Sequence, residues 1–151
     1  MKPQLLIFAR QPVLGRVKTR LAADIGDEAA LAVYRELLSI TAEAVTAAKQ
    51  PATVWLADAP TPPPAALPEW PSLPWQPQAA GDLGQRMTAA FAHAFASGAT
   101  AVAIIGTDCP GLRASHLTQA FALLAAGLLL WWREGDRLFT DGLIAAIIAC
   151  F

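Results

Sequence analysis

The sequence predicts a three-layer α/β fold, with a mostly parallel sheet between helices. The first observation behind this is three short, continuously apolar runs at residues 5–8, 53–57 and 101–105. Such runs are expected of strands covered on both faces. The second is that each run is followed by a stretch with helical spacing of apolar residues. The third is the order of these pieces, strand then helix repeated three times, which is the pattern of parallel strands joined by crossover helices.

Taken in order, Leu5, Leu6, Ile7 and Phe8 form the opening strand, and a loop rich in cations follows. Asp27 is placed to cap a helix running to about Lys49. Its inward stripe is Leu31, Tyr34, Leu38, Thr41, Val45 and Ala48, widened by Leu37 and Ala44. Pro51 stops that helix, and residues 53–57 make the second strand. Residues 60–77 are dense in proline. They read as a stiff surface excursion within one domain, with Trp70 and Trp75 lying on the body of the fold. Asp82 followed by Gln85 has the spacing of a capping box, so a helix starts there, with Met87, Phe91, Ala94 and Phe95 inward and Ser97-Gly98 at its end. Residues 101–105 are the third strand. Ser115 is placed to cap a last helix with Leu117, Ala120, Phe121 and Leu124 inward.

Composition narrows the function classes. The 151 residues carry a formal net charge of -1, which argues against a general nucleic-acid binder working through a basic stripe. Cys109 and Cys150 make neither a disulfide framework nor a metal-ligand spacing, as expected in a reducing cytoplasm. The apolar stretch at residues 120–132 is shorter than the about 20 residues needed to cross a bilayer. The opening residues lead into a strand-length run rather than a signal-peptide core. The expectation is a soluble, cytoplasmic protein with no membrane and no nucleic acid among its partners.

Two loops carry the chemistry. Arg10, Arg16, Lys18 and Arg20 cluster after the first strand, with Gly15 among them. Arginine offers a planar fork to phosphate oxygens and lysine a compact charge, so the cluster suits a di- or triphosphate; it equally suits a solvated basic loop. Asp108 follows the third strand, where a carboxylate can hold a divalent cation that bridges phosphates, or can simply serve a turn. Thr107 and Pro110 shape that loop, and Cys109 reads as a small packed residue rather than a nucleophile. His93 and His116 have no partners at metal-ligand spacing, and neither a GxxxxGK[ST] loop nor a GxGxxG fingerprint is present. Loops leaving the same edge of a parallel sheet face one crevice, so the basic loop and Asp108 are expected to converge.

Three segments in order, FARQPVLGRVKTRL, QPQAAGDLGQRM and AVAIIGTDCPGL, resemble the bacterial DUF2064 proteins, over about residues 4–125. That family is glycosyltransferase-like and related to the nucleotide-diphospho-sugar transferase superfamily. The resemblance implies a glycosyltransferase-A-like domain. It also implies a nucleotide or nucleotide-sugar ligand and a divalent cation, magnesium or manganese. By position, Arg10, Gly15, Lys18 and Arg20 would line the phosphate site. Gln78, Gly81, Asp82, Gly84 and Arg86 would shape the nucleotide pocket, and Asp108 would be the metal-binding acid.

Residues 1–151 read as a single domain whose carboxyl half is incomplete relative to that family, because residues 128–151 depart from its GPAxDGGYYLIGL-like pattern. Residues 128–132 and 138–143 could pair as a hairpin around residues 134–136. The apolar residues 144–151 should pack on the domain or on a second copy, making a homodimer. Two functions follow. One is a metal-dependent transferase moving a glycosyl or nucleotidyl group to a small-molecule acceptor. The other is a binding module or inactive relic that keeps the nucleotide site without turnover.

Overall fold

The computed structural model describes residues 2–59 and 67–137, with side chains to residue 133. Its elements are β1 (Pro3–Arg10), α1 (Thr19–Ile25), α2 (Asp27–Ala48), β2 (Ala52–Ala57), β3 (Trp75–Pro77), α3 (Leu83–Ala96), β4 (Ala101–Ile105) and α4 (Ala114–Arg137). The four strands form one sheet in the order β3-β2-β1-β4, with every pairing parallel. In register, Leu5 lies opposite Ala52 on one side and Ala103 on the other.

Alternation along β1 builds both cores. Leu5, Ile7 and Ala9 point to one face, against Tyr34, Leu38 and Val45 of α2 and Leu117 and Phe121 of α4. Leu6 points to the other face, against Trp55 and the α3 alanines Ala90 and Ala94. A strand buried on both sides needs apolar residues at every position, which is why β1 shows no alternation of polarity. Thr41 is fully buried in the α2 stripe because its hydroxyl donates to the Leu37 carbonyl at 2.9 Å.

Several expectations change. The α2 helix begins after Gly26, whose φ of 88° suits glycine, so Asp27 lies inside the first turn rather than capping it. The short α1 has no apolar stripe of its own and was not legible. The proline-rich excursion is more than surface. Leu67 and Trp70 enter the core, and residues 75–77 form β3, where edge position tolerates Pro77. Phe95 is exposed and stacks on Phe91 at 6.4 Å, while the residues that α3 buries against the sheet are Ala90 and Ala94.

The last helix starts at Ala114, so Ser115 is not its cap. His116 Nδ1 instead accepts from the Arg113 N–H at 3.3 Å. Of the expected α4 stripe, Leu117 and Phe121 are buried but Ala120 and Leu124 are exposed. Beyond Phe121 the helix carries Leu123, Leu128, Leu129, Leu130, Trp131 and Trp132 exposed. Residues 128–132 are therefore helical rather than half of a hairpin, while residues 138–151 lie outside those described. The stretch Ala114–Arg133 has a mean hydropathy of 1.4 and meets the length and composition of a membrane span, which corrects the expectation of too short a run. Leu117 and Phe121 of that stretch reach the domain core.

Candidate active site

The sheet's carboxyl edge carries a crevice of about 710 Å³. Arg10 brings the end of β1 to it, the loop that follows supplies Arg16 and Lys18, and the first turn of α1 supplies Arg20. Gln78 and Arg86 line a second wall, Thr107 and Asp108 a third, and Tyr34 of α2 closes the floor with Phe8 and Ala9.

The basic loop is shaped from within. The Val13 N–H donates to the Gln11 carbonyl at 2.8 Å and the Arg16 N–H to the Val13 carbonyl at 3.0 Å. Gly15 supports the turn with a φ of 72°. Val17 is buried in the core and so pins the loop while its charged neighbours stay outside. Lys18 adopts a left-handed conformation, φ 50° and ψ 40°, at the start of α1. Such a conformation costs a side-chain-bearing residue about 1–2 kcal/mol. Strain of this kind collects at functional sites.

Lys18 Nζ stands 2.7 Å from Asp108 Oδ1. The lysine side chain is 23% exposed and the aspartate side chain 71%, so the pair sits at the mouth and contributes only about 0–1 kcal/mol. Arg10 Nη1 lies 3.9 Å from Asp58 Oδ2, a looser and more exposed contact. Asp108 does not make a metal centre alone, since no group of three or more His, Cys, Asp or Glu gathers among the described residues. One exposed carboxylate does fit a magnesium-type cation that arrives with phosphate oxygens and keeps its waters.

Gln78 organises the second wall. Its Nε2 donates to the Trp55 carbonyl at 2.9 Å and the Ala9 carbonyl at 3.4 Å, and its own N–H donates to the Leu56 carbonyl at 3.0 Å. Its Oε1 accepts from Arg86 Nη1 at 3.0 Å, which fixes the guanidinium over the crevice. The capping box of α3 is present: Asp82 Oδ1 accepts from the Gln85 N–H, and Gln85 Oε1 from the Asp82 N–H, both at 2.9 Å. Gly81 has a φ of 111°, and a Cβ there would strike Gln85 Oε1.

The structure thus brings Arg10, Lys18, Arg20, Gln78, Arg86 and Asp108 to one crevice. Gly15, Gly81, Asp82 and Gly84 do not line it; they shape the loop and cap that hold those residues. Cys109 is exposed rather than packed.

Tyr34 was legible only as a core position. Its hydroxyl accepts from the Arg10 N–H at 2.9 Å and donates to the Arg10 carbonyl at 3.0 Å. Burial raises its pKa above the ordinary phenol value, more than the hydrogen bonds to Arg10 and Thr107 lower it. The one sequence signal was a phenol in an otherwise aliphatic stripe.

A parallel sheet covered on both faces, with a cation-lined crevice at its carboxyl edge, defines an α/β domain of the kind that seats ligands beyond its strand ends. The chain belongs to DUF2064, a family of uncharacterized proteins conserved in bacteria, whose pattern matches residues 40–129. It is also similar to the crystal structure of a protein from Desulfovibrio desulfuricans G20 proposed to be a nucleotide-diphospho-sugar transferase. The TM-score is 0.65 and the identity 29%, over 79% of this chain and 52% of that one. The chain therefore spans about half the length of that structure. No curated protein matches it.

Proposed function

We propose that the crevice binds the diphosphate of a nucleotide or nucleotide-sugar, and that the chain serves transfer of a glycosyl or nucleotidyl group from that donor to a small-molecule acceptor. The observation that carries this reading is the meeting of Lys18 and Asp108 at 2.7 Å inside a crevice also lined by Arg10, Arg16, Arg20 and Arg86. Likeness to a protein proposed to be such a transferase supports it.

Lys18 and the arginines would hold phosphate oxygens and stabilise charge on the departing diphosphate or pyrophosphate. Arg86, locked by Gln78, would orient the ligand against the α3 side. Asp108 would hold a magnesium or manganese ion together with the ligand's phosphates, and that ion would supply further charge neutralisation. The Lys18–Asp108 contact is weak enough to open when ligand enters.

Thermal stabilisation by UDP, GDP and CDP and their sugar conjugates, with and without manganese, tests this. At about 100 times its dissociation constant a ligand adds about 2.7 kcal/mol to stability. No shift with any nucleotide would overturn the proposal. A second reading, nucleotide binding without turnover, is favoured by the departure of residues 128–151 from the pattern of the family. Metal-dependent stabilisation without product would support that one.

A further inference from the structure

We propose that Tyr34 is a positioning residue of the diphosphate site, its hydroxyl fixing the Arg10 peptide at the end of β1, where the basic loop begins. The inference rests on the crevice being a diphosphate site. β1 makes its last pairing with β4 at Ile7 opposite Ile105, yet continues to Arg10. Past that point the basic loop and the Asp108 loop are no longer joined by the pairing of their strands. The Tyr34 hydroxyl reaches into this gap from α2. It takes the Arg10 N–H at 2.9 Å and gives its own proton to the Arg10 carbonyl at 3.0 Å. One oxygen thereby holds both the N–H and the carbonyl of the residue that opens the basic loop. The buried Thr107 lines the same crevice from the β4 side.

Tyr34 is only 4% exposed, and Leu38 one turn on is 1% exposed, so the hydroxyl has little freedom to follow a moving loop. Rigid placement matters because the cations act on phosphate oxygens over hydrogen-bond distances, and small displacements cost much of the binding. Tyr34 need not touch the ligand for this role.

The test is isothermal titration of the full chain with UDP and with inorganic pyrophosphate, each with magnesium. Tyr34→Phe removes only the hydroxyl, and Val45→Ala, buried on the same helix away from the crevice, serves as the control for lost stability. Tyr34→Phe is expected to weaken both ligands about tenfold or more, while Val45→Ala at comparable thermal stability binds as the unaltered chain does. Should Tyr34→Phe not fold, amide hydrogen exchange of the unaltered chain decides: the Arg10 N–H is expected to be protected, and exchange as fast as that of an exposed loop amide overturns the inference. Unchanged affinity in the folded variant, or an equal loss in Val45→Ala, overturns this inference alone. Failure of the unaltered chain to bind either ligand overturns the diphosphate reading on which it rests.

Discussion

Lys18 and Asp108 meet at 2.7 Å although one follows the first strand and the other the fourth. Parallel connections return every strand in the same direction, so both loops emerge at one edge. The pair stands at the mouth of the proposed site, and its low intrinsic stability is what makes it usable by a ligand.

Lys18→Ala should therefore lower stability by no more than about 1 kcal/mol, while weakening binding of a nucleoside diphosphate by about tenfold. Arg20→Ala should behave alike. Denaturant titration beside calorimetry separates the two quantities; a large stability loss with unchanged binding would make these residues structural.

Asp108→Asn removes the one carboxylate placed to hold a cation with the phosphates. Nucleotide binding without metal should persist, because the arginines and Lys18 remain, whereas the extra stabilisation given by manganese should disappear. Equal manganese dependence in both proteins would count against a cation on Asp108.

Tyr34 links stability to alkaline pH. Burial, the largest influence, raises its pKa above 10.0, and the nearby Asp108 charge adds to this; the hydrogen bonds to Arg10 and Thr107 and the Lys18 charge oppose it. A group with a raised folded-state pKa contributes fully below its unfolded value, and the contribution is lost as pH rises through the folded one. The unaltered chain should lose more stability than Tyr34→Phe above about pH 10, and the two should run parallel below it. Parallel curves throughout would show that the phenol is not buried as described.

Gly81→Ala should destabilise by about 1–3 kcal/mol, since it forces a side chain into a positive-φ site and against Gln85 Oε1. Lys49→Gly should do the reverse. Lys49 ends α2 with a φ of 53°, and glycine there should add about 0.5–1 kcal/mol. Thermal unfolding of the two variants checks both signs.

The capping box at Asp82 and the bounds of β4 at residues 101–105 were legible because each is a property of a few consecutive residues. So was most of the α2 stripe, set by helical spacing alone. The same spacing failed at Phe95, Ala120 and Leu124, since periodicity says which residues share a face and not how far a neighbouring layer reaches. It also failed for β3, where proline and short length leave no pattern to find.

The order of β1, α2, β2, α3, β4 and α4, the apolar face of α2 and the basic loop were determined by the sequence itself, because hydrophobic spacing and capping act within a single segment. Which cation faces which acid, and the use of a core tyrosine to hold Arg10, were decided only by tertiary structure. Those contacts depend on strand order, on register and on where one strand outruns its neighbour, and the energy that fixes them comes from burial shared between distant segments.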